Sequence, residues 1–188
     1  VKICGLACLL LAGCAAPSGT HSIPKPGNGI AEYREVTKQA YRAVADTVGS
    51  LQVLARDPSG EVAEFDRAFN QLELTSVKAR ARADAIIARG QNYFDEWKEQ
   101  LASPSAKADY DRLYGRFTLI RERSGEVREE FRPFMAGLRQ FRAELDRGKP
   151  LAPDQVNALT MSGQRVLKTL QSVSAALNDA DAELHAAR

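Results

Sequence analysis

From residue 30 onward apolar side chains recur every three and four positions, with polar and charged residues filling the intervals. That spacing keeps a narrow stripe on one side of an α-helix and predicts helices packed along seams. The first seam runs Ile30, Tyr33, Thr37, Ala40, Val44, Thr47, Leu51 and Leu54. The second runs Val62, Phe65, Phe69, Leu72, Ser76, Ala79, Ala83, Ile86, Gly90, Tyr93 and Trp97. A third holds Tyr110, Leu113, Phe117, Ile120, Ser124, Val127, Phe131, Phe134, Leu138, Phe141 and Leu145, and a fourth Val156, Leu159, Gly163, Val166, Leu170, Val173, Leu177, Ala180, Leu184 and Ala187. None of these forty positions is charged, whereas at 27% charged residues a random choice would include about eleven.

The breaks between segments have physical causes. Asp57-Pro58 and Ser103-Pro104 each offer a capping acceptor followed by a proline at the first helical position, where the missing donor costs nothing. Gly148 after Arg147 is a C-terminal glycine, and Lys149-Pro150 prevents continuation. Leu151 and Val156 bracket Ala152-Pro153-Asp154-Gln155 as a hydrophobic staple, with Gln155 placed to reach back to the cap. The expected helices are therefore about 30–56, 58–102, 104–147 and 153–187 of a helical domain 30–188. Short connections force antiparallel neighbours, so the fold class is all-α, an elongated up-down-up-down four-helix bundle with coiled-coil packing. Its central pair would be about 60 Å long.

Folding the second and third segments about residue 105 or 106 sets Ser76 and Ala79 opposite Met135 and the Phe131 to Phe134 turn, and Gly90 opposite the turn between Phe117 and Ile120. Small residues then meet large ones, as a packed core requires. Pro133 interrupts the third segment and predicts a kink, with compliance from Gly137 one turn later.

The first sixteen residues carry an address. Lys2 supplies a positive start, Ile3 to Ala12 an apolar run, and Leu11-Ala12-Gly13-Cys14 small residues before a cysteine, the order of a secretory signal. The uncharged stretch from Ile3 to Ala16 is fourteen residues, short of the roughly 20 that cross hydrocarbon. Leu11-Ala12-Gly13-Cys14 resembles the lipobox of bacterial lipoproteins. The resemblance implies removal of a signal peptide 1–13, diacylation of Cys14, and acylation of its new amine, with palmitate the expected chain. An ordinary cleaved signal with a chance cysteine is the alternative. Two or more acyl chains hold a protein stably at a membrane. Ala15 is not the aspartate that marks inner-membrane retention in enteric lipoproteins, so the expected location is the outer membrane, periplasmic side. Val1 implies an alternative start codon or further residues upstream. Residues 14–29, rich in Pro, Gly, Ser and Asn, read as a flexible tether reaching at most about 50 Å.

Composition narrows the chemistry. With 188 residues one domain is expected, and 26 Lys plus Arg against 24 Asp plus Glu leave no basic excess to attract nucleic acid. Cys4 and Cys8 leave with the signal and Cys14 takes lipid, so the mature chain has no free thiol or disulfide. His21 lies in the tether, and His185 sits at a helix end without a Glu three residues before it, which excludes the Glu-x-x-His pairs of di-iron bundles. Triads, phosphate loops and zinc spacings cannot be assembled. No catalytic residue, metal or cofactor is expected, and the chain reads as a non-enzyme.

Arginines crowd the third segment, at Arg112, Arg116, Arg121, Arg123, Arg128, Arg132, Arg139 and Arg142 among others. Glu122, Glu126, Glu129, Glu130 and Glu144 interleave with them, the pattern of a solvated, salt-bridged face. An anionic partner such as peptidoglycan or lipid headgroups is the other reading. Six of thirteen aromatic residues, Tyr93, Phe94, Trp97, Tyr110, Tyr114 and Phe117, surround the tip between the second and third segments, on the side of the anchor. Phe94, Trp97 and Tyr114 are the candidate binding residues there; the alternative is a plug closing the core.

Phe94-Asp95-Glu96-Trp97, followed by Pro133-Phe134-Met135-Ala136-Gly137-Leu138-Arg139, resembles the bacterial coiled-coil envelope proteins grouped as domain of unknown function 2959, over about Tyr33 to Leu177. The resemblance carries over no catalytic residue. The expected function is a lipid-anchored spacer or adaptor for another envelope component, with a protein partner or self-association. The alternative is a carrier of an apolar ligand or lipid, whose cavity would lie along the small seam residues Ser76, Ala79, Ala83, Gly90 and Gly163.

Overall fold

A computed structural model describes residues 28–56, 62–101, 103–150 and 152–186. The signal, Cys14, nearly all of the tether, the Asp57-Pro58 cap and Leu151 lie outside the described residues. The four helices are α1 (Gly29–Arg56), α2 (Val62–Glu99), α3 (Pro104–Asp146) and α4 (Pro153–Ala186), with no strand among the described residues. The 43 residues of α3 span about 65 Å.

Local chemistry sets the ends. Ser103 is extended and its hydroxyl accepts from the Ala106 amide at 3.2 Å, with Pro104 opening α3. At the other end Gly148 takes φ +68°. Its amide donates to Leu145 at 2.8 Å while Lys149 donates to Glu144 at 3.1 Å, the two bonds of a Schellman close. Gln155 does not reach back to its own cap as the sequence predicts. Its amide group donates to Glu144 at 3.1 Å, tying the start of α4 to the end of α3. A bond from Gln140, and after it this one from Gln155, lowers the pKa of the Glu144 carboxyl. The second helix ends at Glu99, a turn earlier than expected, because Gln100 and Leu101 turn back onto Trp97 and Lys98.

The helices form a bundle in which α1 packs between α2 and α4, and α4 packs between α1 and α3, while α2 and α3 touch far less than any of these pairs. The seams of α1, α3 and α4 are covered much as their spacing requires, with Leu51, Leu54, Phe134, Leu138, Val166 and Leu177 at or near full burial. The middle of α2 is different. Phe65, Phe69 and Leu72 are buried near its start and Phe94 and Trp97 near its end, and no residue between Leu72 and Phe94 is buried. Ser76, Ala79, Ala83 and Ile86 face inward as predicted but are only half covered.

Aromatic packing clamps both ends of α2. Phe65 meets Phe141 edge-on at 5.4 Å. At the tip Phe94 contacts the rings of Tyr93, Trp97, Tyr110, Tyr114 and Phe117 at 5.1 to 6.0 Å, each worth about 0.5–1.5 kcal/mol beyond the area it buries. Phe94, off the expected seam, is buried here, whereas Tyr93, on the seam, is half covered.

Small residues admit large ones where helices approach. A Cβ on Gly163 would clash with Val48 and lie 3.1 Å from the Phe134 ring, and one on Gly137 would lie 2.7 Å from Leu159. Gly163 is thus filled by its neighbours and opens no cavity. α3 runs helical through Pro133, which is exposed. Overfilling such a site costs about 1–3 kcal/mol, so Gly163→Leu should lose at least that much in urea unfolding. Gly49→Ala, where a Cβ meets nothing within 4 Å, should gain about 0.5–1 kcal/mol from helix propensity alone. Equal stability of the two variants would contradict this packing.

Candidate functional site

With small residues facing inward at Ser76, Ala79, Ala83 and Gly90 of α2, the gap between α2 and α3 is not filled from within. It opens as two cavities floored by α1 and α4. The first, about 340 Å³, lies under Ile86, Gly90 and Phe94 of α2 and Leu113, Phe117 and Ile120 of α3, beside the start of α1. The second, about 350 Å³, lies under Ser76, Ala79 and Ala83 of α2 and Val127, Phe131 and Met135 of α3. The mirror relation expected between these helices is present. At Gly90 small meets large, since a Cβ there would sit 2.5 Å from the Phe117 ring. Opposite Ser76 and Ala79, space remains.

Tyr33 of α1 lines both cavities and stands between them. Its hydroxyl lies 2.5 Å from Ser124 Oγ in the core. Ser124 spends its one proton on the Ile120 carbonyl at 2.7 Å, so Tyr33 is the donor. Burial raises the pKa of the Tyr33 phenol. Tyr93, also in the wall of the first cavity, is pushed up to about 12 by burial.

What spans the gap is polar. Arg142 donates to Asn70 at 2.7 Å and meets Asp66 at 3.1 Å. Arg139 reaches Glu73 at 2.9 Å, Arg128 reaches Asp84, and Arg121 reaches Gln91 at 3.2 Å. Asn70, Glu73, Asp84 and Gln91 are each mirrored about residue 106 by their arginine, so α2 and α3 run antiparallel in one register along these rungs. Four arginines of α3 therefore cross to α2 and Arg116 crosses to Glu183 of α4, while Arg112, Arg123 and Arg132 pair along their own helix. The arginine face is laced with ion pairs as its composition predicts, and most of its bonds join helices. Each such exposed pair is worth about 0–1 kcal/mol.

Of the aromatic candidates, Phe94 forms part of the wall of the first cavity. Trp97 is buried in the tip cluster, and Tyr114 stacks on Tyr110 at 5.4 Å, both away from the cavity linings. Cys14 is outside the described residues. The His185 ring nitrogen lies 2.7 Å from the Asp181 carbonyl, and among the described residues no three His, Cys, Asp or Glu side chains converge to hold a metal. No described helix is long and apolar enough to cross a membrane. The Tyr33–Ser124 bond was not foreseen in the sequence, although both residues are seam positions able to hydrogen bond inside a core.

A seam joined by polar rungs should loosen when charges are screened. Amides of α2 between Leu72 and Phe94 are expected to exchange with solvent faster than those of α4, and the difference should grow as salt is raised to about 1 M, where screening acts over about 3 Å. Uniform protection with no response to salt would overturn this account of the α2–α3 seam. No family model, curated protein or solved structure matches the chain.

Proposed function

We propose that the protein is a non-enzymatic lipoprotein of the bacterial cell envelope, anchored through acylated Cys14 to the periplasmic side of the outer membrane, that carries an apolar ligand between α2 and α3. The observation that supports a carrier is the pair of apolar cavities where a closed bundle would have core. Unfilled core space is destabilising, since lining atoms lose their contacts. A ligand would restore them. The size of each cavity falls in the range of small-molecule sites.

The spacer or adaptor becomes the second reading. It is favoured by Leu74 and Val77, 59% and 71% exposed one turn apart on α2, an apolar lip against which a partner helix would bury surface. A photoreactive side chain replacing Val77 separates the two: lipid adducts support the carrier and polypeptide adducts the adaptor.

The intact acylated protein, extracted in mild detergent, should retain a stoichiometric apolar molecule in native mass spectra. Ala83→Leu, which fills the second cavity, should reduce its occupancy. Purification without any bound molecule, or occupancy indifferent to Ala83→Leu and to filling Gly90, would refute the carrier. Cys14→Ala should release the protein from the membrane fraction; an unchanged variant in the membrane pellet would refute the anchor.

A further inference from the structure

The rungs between α2 and α3 are unevenly spaced. Between Arg139–Glu73 and Arg128–Asp84 lies a window, residues 74–83 of α2 and 129–138 of α3, that no cross-helix hydrogen bond or ion pair spans among the described residues. The second cavity opens there. By the register of the rungs Arg80 stands across the window from Arg132, and both line the cavity. Each is held only loosely on its own helix, Arg80 by Asp84 at 3.9 Å and Arg132 by Glu129 at 3.4 Å, with about three quarters of each side chain exposed.

The charged residues lining this cavity are Arg80, Arg128, Arg132 and Arg139, with no carboxylate among them. Their partners lie outside the lining, and Asp84 serves both Arg80 and Arg128, so Glu73, Asp84 and Glu129 answer four guanidinium groups. The first cavity is balanced by contrast, since its Arg89 and Arg116 are bound to Glu32 and Glu183. Two opposed guanidinium groups over an apolar slot form a fork for an anion, because each binds a carboxylate or phosphate through short charge-assisted hydrogen bonds. The window is about 16 Å long between its bounding rungs. A partner helix of more than about eleven residues laid lengthwise in the groove would have to break those rungs, whereas a single hydrocarbon chain passes between them.

We propose that the second cavity binds a single-chain amphiphile with an anionic headgroup, the chain lying over Ala79, Ala83 and Phe131 and the headgroup between Arg80 and Arg132. This rests on the carrier reading and adds to it the ligand's charge and its point of entry.

The full acylated chain in nonionic detergent can be probed by native mass spectrometry with octadecanoate, octadecanol and octadecyltrimethylammonium, which share one apolar chain. Octadecanoate should bind about tenfold more tightly than the alcohol, the cation should bind least, and added salt should weaken only octadecanoate. R80Q with R132Q should bring octadecanoate down to the level of the alcohol. Ala79→Leu should weaken both, with Ser76→Leu as an independent filling variant and circular dichroism checking that each folds. Equal binding of octadecanoate and octadecanol, unchanged in the double variant, would overturn the headgroup site and leave the carrier standing. Retention of none of the three probes would overturn both. Loss of octadecanoate in the arginine variants without any effect of the filling variants would place the anion on the surface and overturn chain insertion.

Discussion

Side-chain volume in the middle of α2 governs the rest of the structure. From Thr75 to Ala83 the inward positions carry Ser76, Ala79 and Ala83, which cannot reach across to α3 at the separation that Phe131, Met135 and Phe117 impose. Where Gly90 meets Phe117 the ring fills the recess. Elsewhere the helices stand apart, and the space beneath them is bounded by α1 and α4. Dense packing is the norm in protein interiors, so a long inward face of small residues that leaves its neighbour uncovered sets this seam apart from the other three.

The forces along α2 divide accordingly. Its two ends are fixed by buried aromatic rings, around Phe65 and Phe141 at one and around Phe94 at the other. Its centre is joined to α3 by exposed arginine contacts that water and salt weaken. The helix is thus clamped at its ends and compliant between them. Arg128 and Arg139, which hold the seam, also stand with Arg80 and Arg132 in the positive rim of its mouth, so the stiffness of the seam and the charge of its opening are linked.

Much of the fold was legible in the sequence. The three-and-four spacing placed the inward face of every helix, Ser103-Pro104 and Gly148 gave the ends of α3, and folding about residue 105 or 106 gave the antiparallel pairing of α2 and α3, which Asn70–Arg142 and Glu73–Arg139 fix at 106. What spacing cannot give is the degree to which a face is filled, because a pattern of apolar positions records polarity and not volume across a three-dimensional gap. That is why Ser76 and Ala79 read as core. Phe94 and Tyr93 exchanged roles because an α-helix turns every 3.6 residues and a strict seam drifts by about 20° per heptad, enough to bring the neighbouring side chain inward. The Tyr33–Ser124 bond joins residues far apart in sequence, and only the packed bundle brings them together. Arg80 lacked meaning until its mirror position was known to hold Arg132.

The placement of Tyr33 has a geometric consequence for anything that occupies the groove. Its ring separates the two chambers, and its hydroxyl is committed to Ser124 across the core. A chain short enough for one chamber leaves that bond intact, whereas a longer one must turn the tyrosine aside and leave a buried donor or acceptor unsatisfied. For such an occupant the partition would act as a length gauge, costing one hydrogen bond for the passage from the second chamber to the first.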